Sequence, residues 1–287
     1  MRIRSIAPRL GLAALAAAAL AVPALAADYP VLRGSQIEDA PPAPSSFSWD
    51  GFYVGGGAGV SETKFKPGSG LQELARFAFR NTLLGSEVDM GNLLSSLPDK
   101  RDSGATFFGL AGYNWSFGDV VLGFEADYTQ SSHRYLLTDY IARRAITSNG
   151  TVNDFSLTTS QGAKLHDYAT ARLRMGWAYG NLMPFATIGG AVGRFNTLST
   201  ITATNYLTQI NPVTGLPEQG QANGYPLTVG AAKKNVYSFG MAVGAGVDWA
   251  LADNIFLRGE YQHIRFADVE GTTTTVNTGR AALGVKF

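Results

Sequence analysis

From Trp49 to the C-terminus, apolar and polar residues alternate with a period of two, in paired segments joined by very short turns. One pair runs from about Ala105 to Phe117, turns at Gly118-Asp119, and returns from Val120 to about Ser131. On the returning arm Val120, Leu122, Phe124, Ala126 and Tyr128 share one face, and Val121, Gly123, Glu125, Asp127 and Thr129 share the other. A strand between two unlike environments carries this signature. A second pair runs from about His166 to Tyr179 and returns from Met183 to Phe195. The third runs from Val236 to Leu251, turns at Asp253-Asn254 and returns to His263. Its first arm sets Tyr237, Phe239, Met241, Val243, Ala245, Val247, Trp249 and Leu251 against Ser238, Gly240, Ala242, Gly244, Gly246 and Asp248. Gly51–Ser61 and Thr278–Phe287 remain as unpaired segments at the two ends of the region. The count is eight strands, three tight turns and four longer connections, with the first and last strands pairing to close the sheet. Two irregularities stand out. Phe108 and Leu110 fall on the otherwise polar face, and the phase of Pro184–Phe195 is ambiguous.

Alternation alone does not separate a soluble barrel from a membrane one, because both have the same period. Three further features do. First, a basic start with Arg2, Arg4 and Arg9 precedes the apolar run Leu10 to Val22, and Ala24-Leu25-Ala26 offers the small residues of a cleavage site. This reads as a signal peptide over residues 1–26, its apolar run too short to span a bilayer. Second, Trp49, Trp115, Trp177 and Trp249 all lie at one end of the strands, joined by the terminal Phe287. Amphipathic rings collect at a lipid–water boundary, here a periplasmic girdle. Third, the candidate inner face carries small side chains, as a narrow eight-stranded barrel requires. The expected fold is all-β: an eight-stranded antiparallel transmembrane up-and-down β-barrel over residues 49–287, with short periplasmic turns and long extracellular loops. Pro30, Pro41, Pro42 and Pro44, with Ser45, Ser46 and Ser48, make residues 27–48 a periplasmic linker.

Composition narrows the function classes. The 34 glycines and 11 % aromatic content fit neither a helical bundle nor a disordered chain. With no cysteine there is neither a disulfide framework nor a thiolate metal site. The formal charge of +1 falls to −2 once the three leader arginines are removed, which gives no electrostatic case for nucleic acid.

Ala27-Asp28-Tyr29-Pro30, the Pro-rich spacer, the run Phe47-Ser48-Trp49-Asp50-Gly51-Phe52-Tyr53-Val54-Gly55-Gly56 and a last strand ending in Phe287 together carry a resemblance. The chain resembles the outer-membrane-protein β-barrel domain family, which includes small porin-family surface antigens and hemin-binding proteins with OmpA-like barrels. The resemblance implies envelope structure, surface exposure and sometimes permeation, and it brings no catalytic residues. It also implies lipid and lipopolysaccharide as surroundings. The terminal Phe resembles the signal read by the barrel assembly machinery.

Chemistry concentrates on the inner face. Glu125, Asp127, Asp248 and Glu260 stand against Arg172, Arg174, Arg258, Arg280 and Lys286. In a narrow lumen such groups bond to one another or to water, because unpaired buried charge is strongly unfavourable. A polar plug is the leading expectation, and an ion path lined by the same residues is its competitor, giving a small porin. His133, His166 and His263 fall near the outer loops, where a cluster would ligate heme iron, so a heme-binding or adhesion receptor is the third reading. Ser131-Ser132-His133 lacks an acidic orienter in sequence, so no enzyme is expected. No cofactor and no metal is assigned. Leu71, Leu74, Ala75 and Ala78 recur at helical spacing inside the first long connection, 62–104, and predict a short helix over the barrel mouth.

Overall fold

The computed structural model describes residues 47–94, 98–268 and 272–287. The signal peptide and nearly all of the linker lie outside the described residues. In chain order the elements are β1 (Gly51–Pro67), α1 (Gly70–Phe79), α2 (Leu83–Glu87), β2 (Lys100–Phe117), β3 (Val120–Gln130), β4 (Arg134–Ile146) and β5 (Val152–Trp177). They continue with β6 (Leu182–Ile210), β7 (Pro217–Gln221), β8 (Leu227–Ala252), β9 (Ile255–Phe266) and β10 (Thr272–Lys286).

Hydrogen bonding closes a ring of eight antiparallel strands, β1-β2-β3-β5-β6-β8-β9-β10, with β10 returning to β1 from Tyr53↔Lys286 to Pro67↔Thr272. A closed ring leaves no strand edge unpaired in the bilayer, where lone backbone groups find no water. The period-two pattern fixes which face is which. On β3, Val121, Gly123, Glu125, Asp127 and Thr129 point inward, while Leu122, Phe124, Ala126 and Tyr128 are exposed. On β8, Tyr237 to Leu251 at every second position face out. Both residues that broke the pattern on β2, Phe108 and Leu110, are buried inside. The ambiguous β6 turns Met183, Phe185 and Thr187 inward.

The long connections differ from the expectation. Instead of loops, β5 begins at Val152 and β6 continues to Ile210, so the two pair far beyond the predicted limits of about His166 and Phe195. After a break at 131–133, β4 runs on from β3 and pairs with the upper half of β5, and β7 folds back on β6. This extension is rich in Thr and Ser, for instance 197–204, and only a few apolar residues, such as Phe155, Leu157, Ile201 and Ala203, mark its inner side. Such a strand gives a weaker alternating signal than the membrane wall. At β5 a bulge between Leu165 and Asp167 also reverses the phase: Tyr168, Thr170, Arg172 and Arg174 point in below it, and Leu165, Ala163 and Gln161 above it. A single extra residue moves a strand's inner set to the other parity.

The first connection does form helices. Leu71, Ala75, Ala78 and Phe79 of α1 and Leu84 of α2 pack on Phe155 and Leu157 of β5 and Ile201 and Ala203 of β6. This lid is pinned at its far side by Arg76, which donates to both carboxylate oxygens of Asp89 at 2.9 and 3.2 Å. Those bonds hold the Asp89 carboxyl below the usual carboxylate range.

Candidate functional site

Midway along the barrel the lumen is filled by charge. Glu125 and Asp127 come from β3, Arg172 and Arg174 from β5, Asp248 from β8, Arg258 and Glu260 from β9, and Arg280 from β10. Three pairs are direct cross-strand neighbours: Glu125↔Arg172, Asp248↔Arg258 and Glu260↔Arg280. Register alone therefore delivers three of the nine ion pairs in the layer. The remainder reach across the barrel and join the groups into two closed squares.

In the upper square Arg172 Nη2 lies 2.9 Å from Asp127 Oδ2, and Arg172 Nη1 bonds Glu260. Arg280 closes it, with Nη2 2.9 Å from Glu260 Oε2 and Nη1 3.1 Å from Asp127 Oδ1. In the lower square Arg258 holds Asp248 through two donors, Nε at 2.8 Å and Nη2 at 3.0 Å, and bonds Glu125 through Nη1. Arg174 bonds Asp248 and lies 3.8 Å from Glu125. Arg172 Nη2 to Glu125 Oε1, at 2.6 Å, links the two squares. Four guanidinium groups face four carboxylates, so the layer is formally neutral. The fork of each guanidinium lets it span two acceptors at once, which a lysine ammonium does less well.

The surroundings complete the site. Tyr53 donates from its hydroxyl to Glu125 Oε2 at 2.7 Å, and Arg172 Nη1 donates to Thr187 Oγ1 at 3.0 Å. The Arg174 guanidinium lies 3.9 Å from the centre of the Phe185 ring, and that of Arg280 4.4 Å from Phe108. Room for these long side chains comes from glycine. A Cβ on Gly244 would sit 2.9 Å from Glu260 Oε1, and one on Gly112 2.4 Å from the Tyr53 hydroxyl. Two apolar layers flank the charges. One contains Tyr53, Phe108, Leu110, Val121, Met183 and Phe256, and the other contains Leu165, Tyr168, Phe195, Ile264, Phe266 and Val276. The side chains of Glu125, Arg172 and Arg258 are 0 % exposed.

Two of the residues singled out in the sequence sit elsewhere. Lys286 is outside the ionic layer; it lies near the chain end, its ammonium 5.6 Å from the Phe47 ring centre. Its inward parity holds, but it stands six residues beyond Arg280 along β10, too far for the squares. Trp49 is not part of the lipid-facing girdle. It precedes β1 and turns inward, its indole packed on Phe47 and donating to Gly180 O at 3.3 Å. Trp115, Trp177, Trp249 and Phe287 do face outward. Tyr53, Thr187 and Phe185 were missed as network members: Phe185 and Thr187 lie in the segment whose phase is ambiguous in sequence, and Tyr53 stands beside the glycines of β1.

The histidines are distributed. His133 Nε2 and Ser61 Oγ are 2.5 Å apart, His263 Nδ1 and Asn277 Oδ1 2.7 Å apart, and His166 occupies the β5 bulge. Among the described residues no group of three or more His, Asp or Glu is arranged to hold a metal ion. The acid missing from the Ser131-Ser132-His133 reading is supplied by Asp102, whose Oδ2 lies 3.6 Å from His133 Nδ1, and the serine is Ser61 rather than Ser131. Ser61 and His133 are both buried, and Asp102 Oδ2 is already accepting from the Arg134 backbone N–H at 2.9 Å. This trio therefore braces the break between β3 and β4.

A family model described as the outer membrane protein beta-barrel domain matches residues 12–287. The chain belongs to this family. It is an outer-membrane β-barrel protein. Among curated relatives, the 31 kDa outer-membrane immunogenic proteins of Brucella melitensis and Brucella suis are each 26 % identical over 283 residues, covering 94 % of this chain and 96 % of theirs. Solved structures it resembles include the attachment invasion locus protein Ail of Yersinia pestis, with 10 % identity, coverage of 82 % of this chain and 99 % of that one, and a TM-score of 0.33. Neisserial surface protein A matches with 18 % identity, coverage of 82 % and 97 %, and a TM-score of 0.30.

Proposed function

We propose that this outer-membrane barrel is a non-enzymatic, surface-exposed envelope protein whose lumen is plugged. The observation that carries the reading is the ionic layer. Eight interlocked charged groups, each bonded to at least two partners of opposite sign, occupy the cross-section between two apolar layers. An open aqueous path would leave such side chains wetted, and eight strands enclose little more than the volume that side chains fill. The neutral balance of the layer also gives no preference for either sign of ion. That the Brucella relatives are named immunogenic outer-membrane proteins supports surface exposure of the lid and hairpins. Export with a leader cleaved near Ala26, insertion by the barrel assembly machinery through the strand ending at Phe287, and contact with lipopolysaccharide belong to the same proposal.

Planar-bilayer recording of the purified, refolded chain tests it. The expected result is a bilayer without steady conductance. Steady open channels at a fixed unit conductance would replace this reading with that of a small diffusion pore.

A further inference from the structure

Three extracellular segments converge beside the lid on a cavity of about 230 Å³. Thr82 to Leu84 form one wall, the β4–β5 turn with Asn149 and Asn153 a second, and Asn205 to Gln209 of β6 with 222–225 the third. The lining contains no Asp, Glu, Lys, Arg or His. That is unusual for this surface, where Arg144 and Asp154 pair a short distance along the same hairpin. In place of charge there are side-chain amides and hydroxyls, with Leu83, Leu84 and Leu207 between them.

The polar groups are ordered before any ligand arrives. Gln209 Nε2 donates to Thr151 Oγ1 at 3.3 Å, Asn205 Nδ2 to Asn153 Oδ1 at 3.1 Å, and Asn153 Nδ2 to Thr147 Oγ1 at 3.3 Å. Thr147 passes the chain to Asn149 Oδ1 at 2.8 Å. The chain begins at an unsatisfied atom: Asn205 is 2 % exposed, yet its Oδ1 has no hydrogen-bond partner. A buried acceptor left unmatched is unfavourable, and turning the Asn205 amide toward the cavity would let a donor from a bound molecule relieve it.

We propose that this cavity is a binding site for one neutral sugar unit of a glycan. Amides and hydroxyls both donate and accept, as vicinal sugar hydroxyls do, and a hydroxyl O–H is the donor that Asn205 Oδ1 lacks. Leucine side chains supply contact for the C–H face of a ring. Absence of positive charge in the lining disfavours acidic and sulfated sugars, which would be desolvated without a counter-charge. The volume lies below the roughly 300–1,000 Å³ of drug-sized ligand sites, so one ring enters and the rest of a glycan stays outside. The site lies above the ionic layer and does not depend on whether the lumen conducts.

The test uses the full chain in lipid nanodiscs and saturation-transfer NMR with glucose, galactose, mannose and N-acetylglucosamine, alongside glucuronic acid and glucosamine 6-sulfate. Saturable transfer to at least one neutral sugar is expected, weakened about tenfold or more by Asn205→Leu and severalfold by Gln209→Ala, which removes the donor that orders Thr151. Gln209 is exposed, so Gln209→Ala reports even if Asn205→Leu fails to fold. Competition by polysaccharide from the producing cell would assign the glycan to its own envelope, and lack of competition to a foreign surface; both support the site. Transfer only to the acidic or sulfated sugars, transfer to none, or binding unaltered in Gln209→Ala would overturn it.

Discussion

Replacing Arg172 with alanine is expected to destabilise the barrel by about 3–5 kcal/mol, because it leaves buried carboxylates without their shared partner. Glu125, Asp127 and Glu260 all lean on this one guanidinium, which belongs to the upper square and links it to the lower one. Glu125→Ala should behave similarly, since Arg172, Arg258 and the Tyr53 hydroxyl all converge on its two oxygens. The double variant Glu125→Leu with Arg172→Met removes one charge of each sign and leaves three charges of each sign behind. Its stability should lie well above that of either single variant, because an apolar replacement of an ion pair is often nearly neutral. Urea unfolding in lipid, followed by heat-modifiable gel migration, measures all three. Single variants that unfold at the wild-type midpoint would mean that the squares do not brace the barrel.

A second large effect is expected one residue away. Leu173 follows Arg172 and points to the opposite face, 65 % exposed. Tyr140 on β4 is 62 % exposed, almost the same. What differs is the solvent, lipid for Leu173 and water for Tyr140. Leu173→Arg should therefore lower stability by about 2–4 kcal/mol, the range for arginine near the bilayer midplane. Tyr140→Arg should stay within about 0.5 kcal/mol of wild type, as most surface substitutions do. Equal effects at the two sites, measured by the same unfolding assay, would remove the distinction between membrane wall and extracellular extension.

The membrane wall was legible in the sequence because its two faces meet different environments. Tyr237 to Leu251 against Ser238 to Asp248 is a contrast that no loop imitates, and the inward parity of Glu125, Arg172 and Glu260 follows from it. The partners within the ionic layer were not legible, since cross-barrel contacts such as Asp127 with Arg280 depend on strand stagger. Above the membrane the signal fades. Thr and Ser weaken the contrast in the upper halves of β5 and β6, and the His166 bulge breaks the parity where the two regimes meet. Trp49 was misassigned for a related reason. Position near a strand end locates a ring along the barrel axis, but only a residue inside a strand has a parity that says in or out. Phe108 and Leu110 carried the opposite lesson, because their apparent violation of the pattern was the flanking apolar layer of the lumen.

The central claim, that the apolar row of each strand faces lipid and the other row a closed interior, is tested most directly by single-cysteine spin labelling. The chain has no cysteine of its own, so each label reports one position. Labels would be placed on β8 at Met241, Val243, Ala245 and Val247, and on the inner face at Ala242 and at Thr187 of β6. In lipid bilayers, collision with dissolved oxygen should be high at the first four and low at the inner two, with a water-soluble nickel chelate excluded from all six. Access of the nickel chelate to Ala242 and Thr187 would contradict the closed interior, and its access to Val243 and Ala245 would contradict the membrane wall itself.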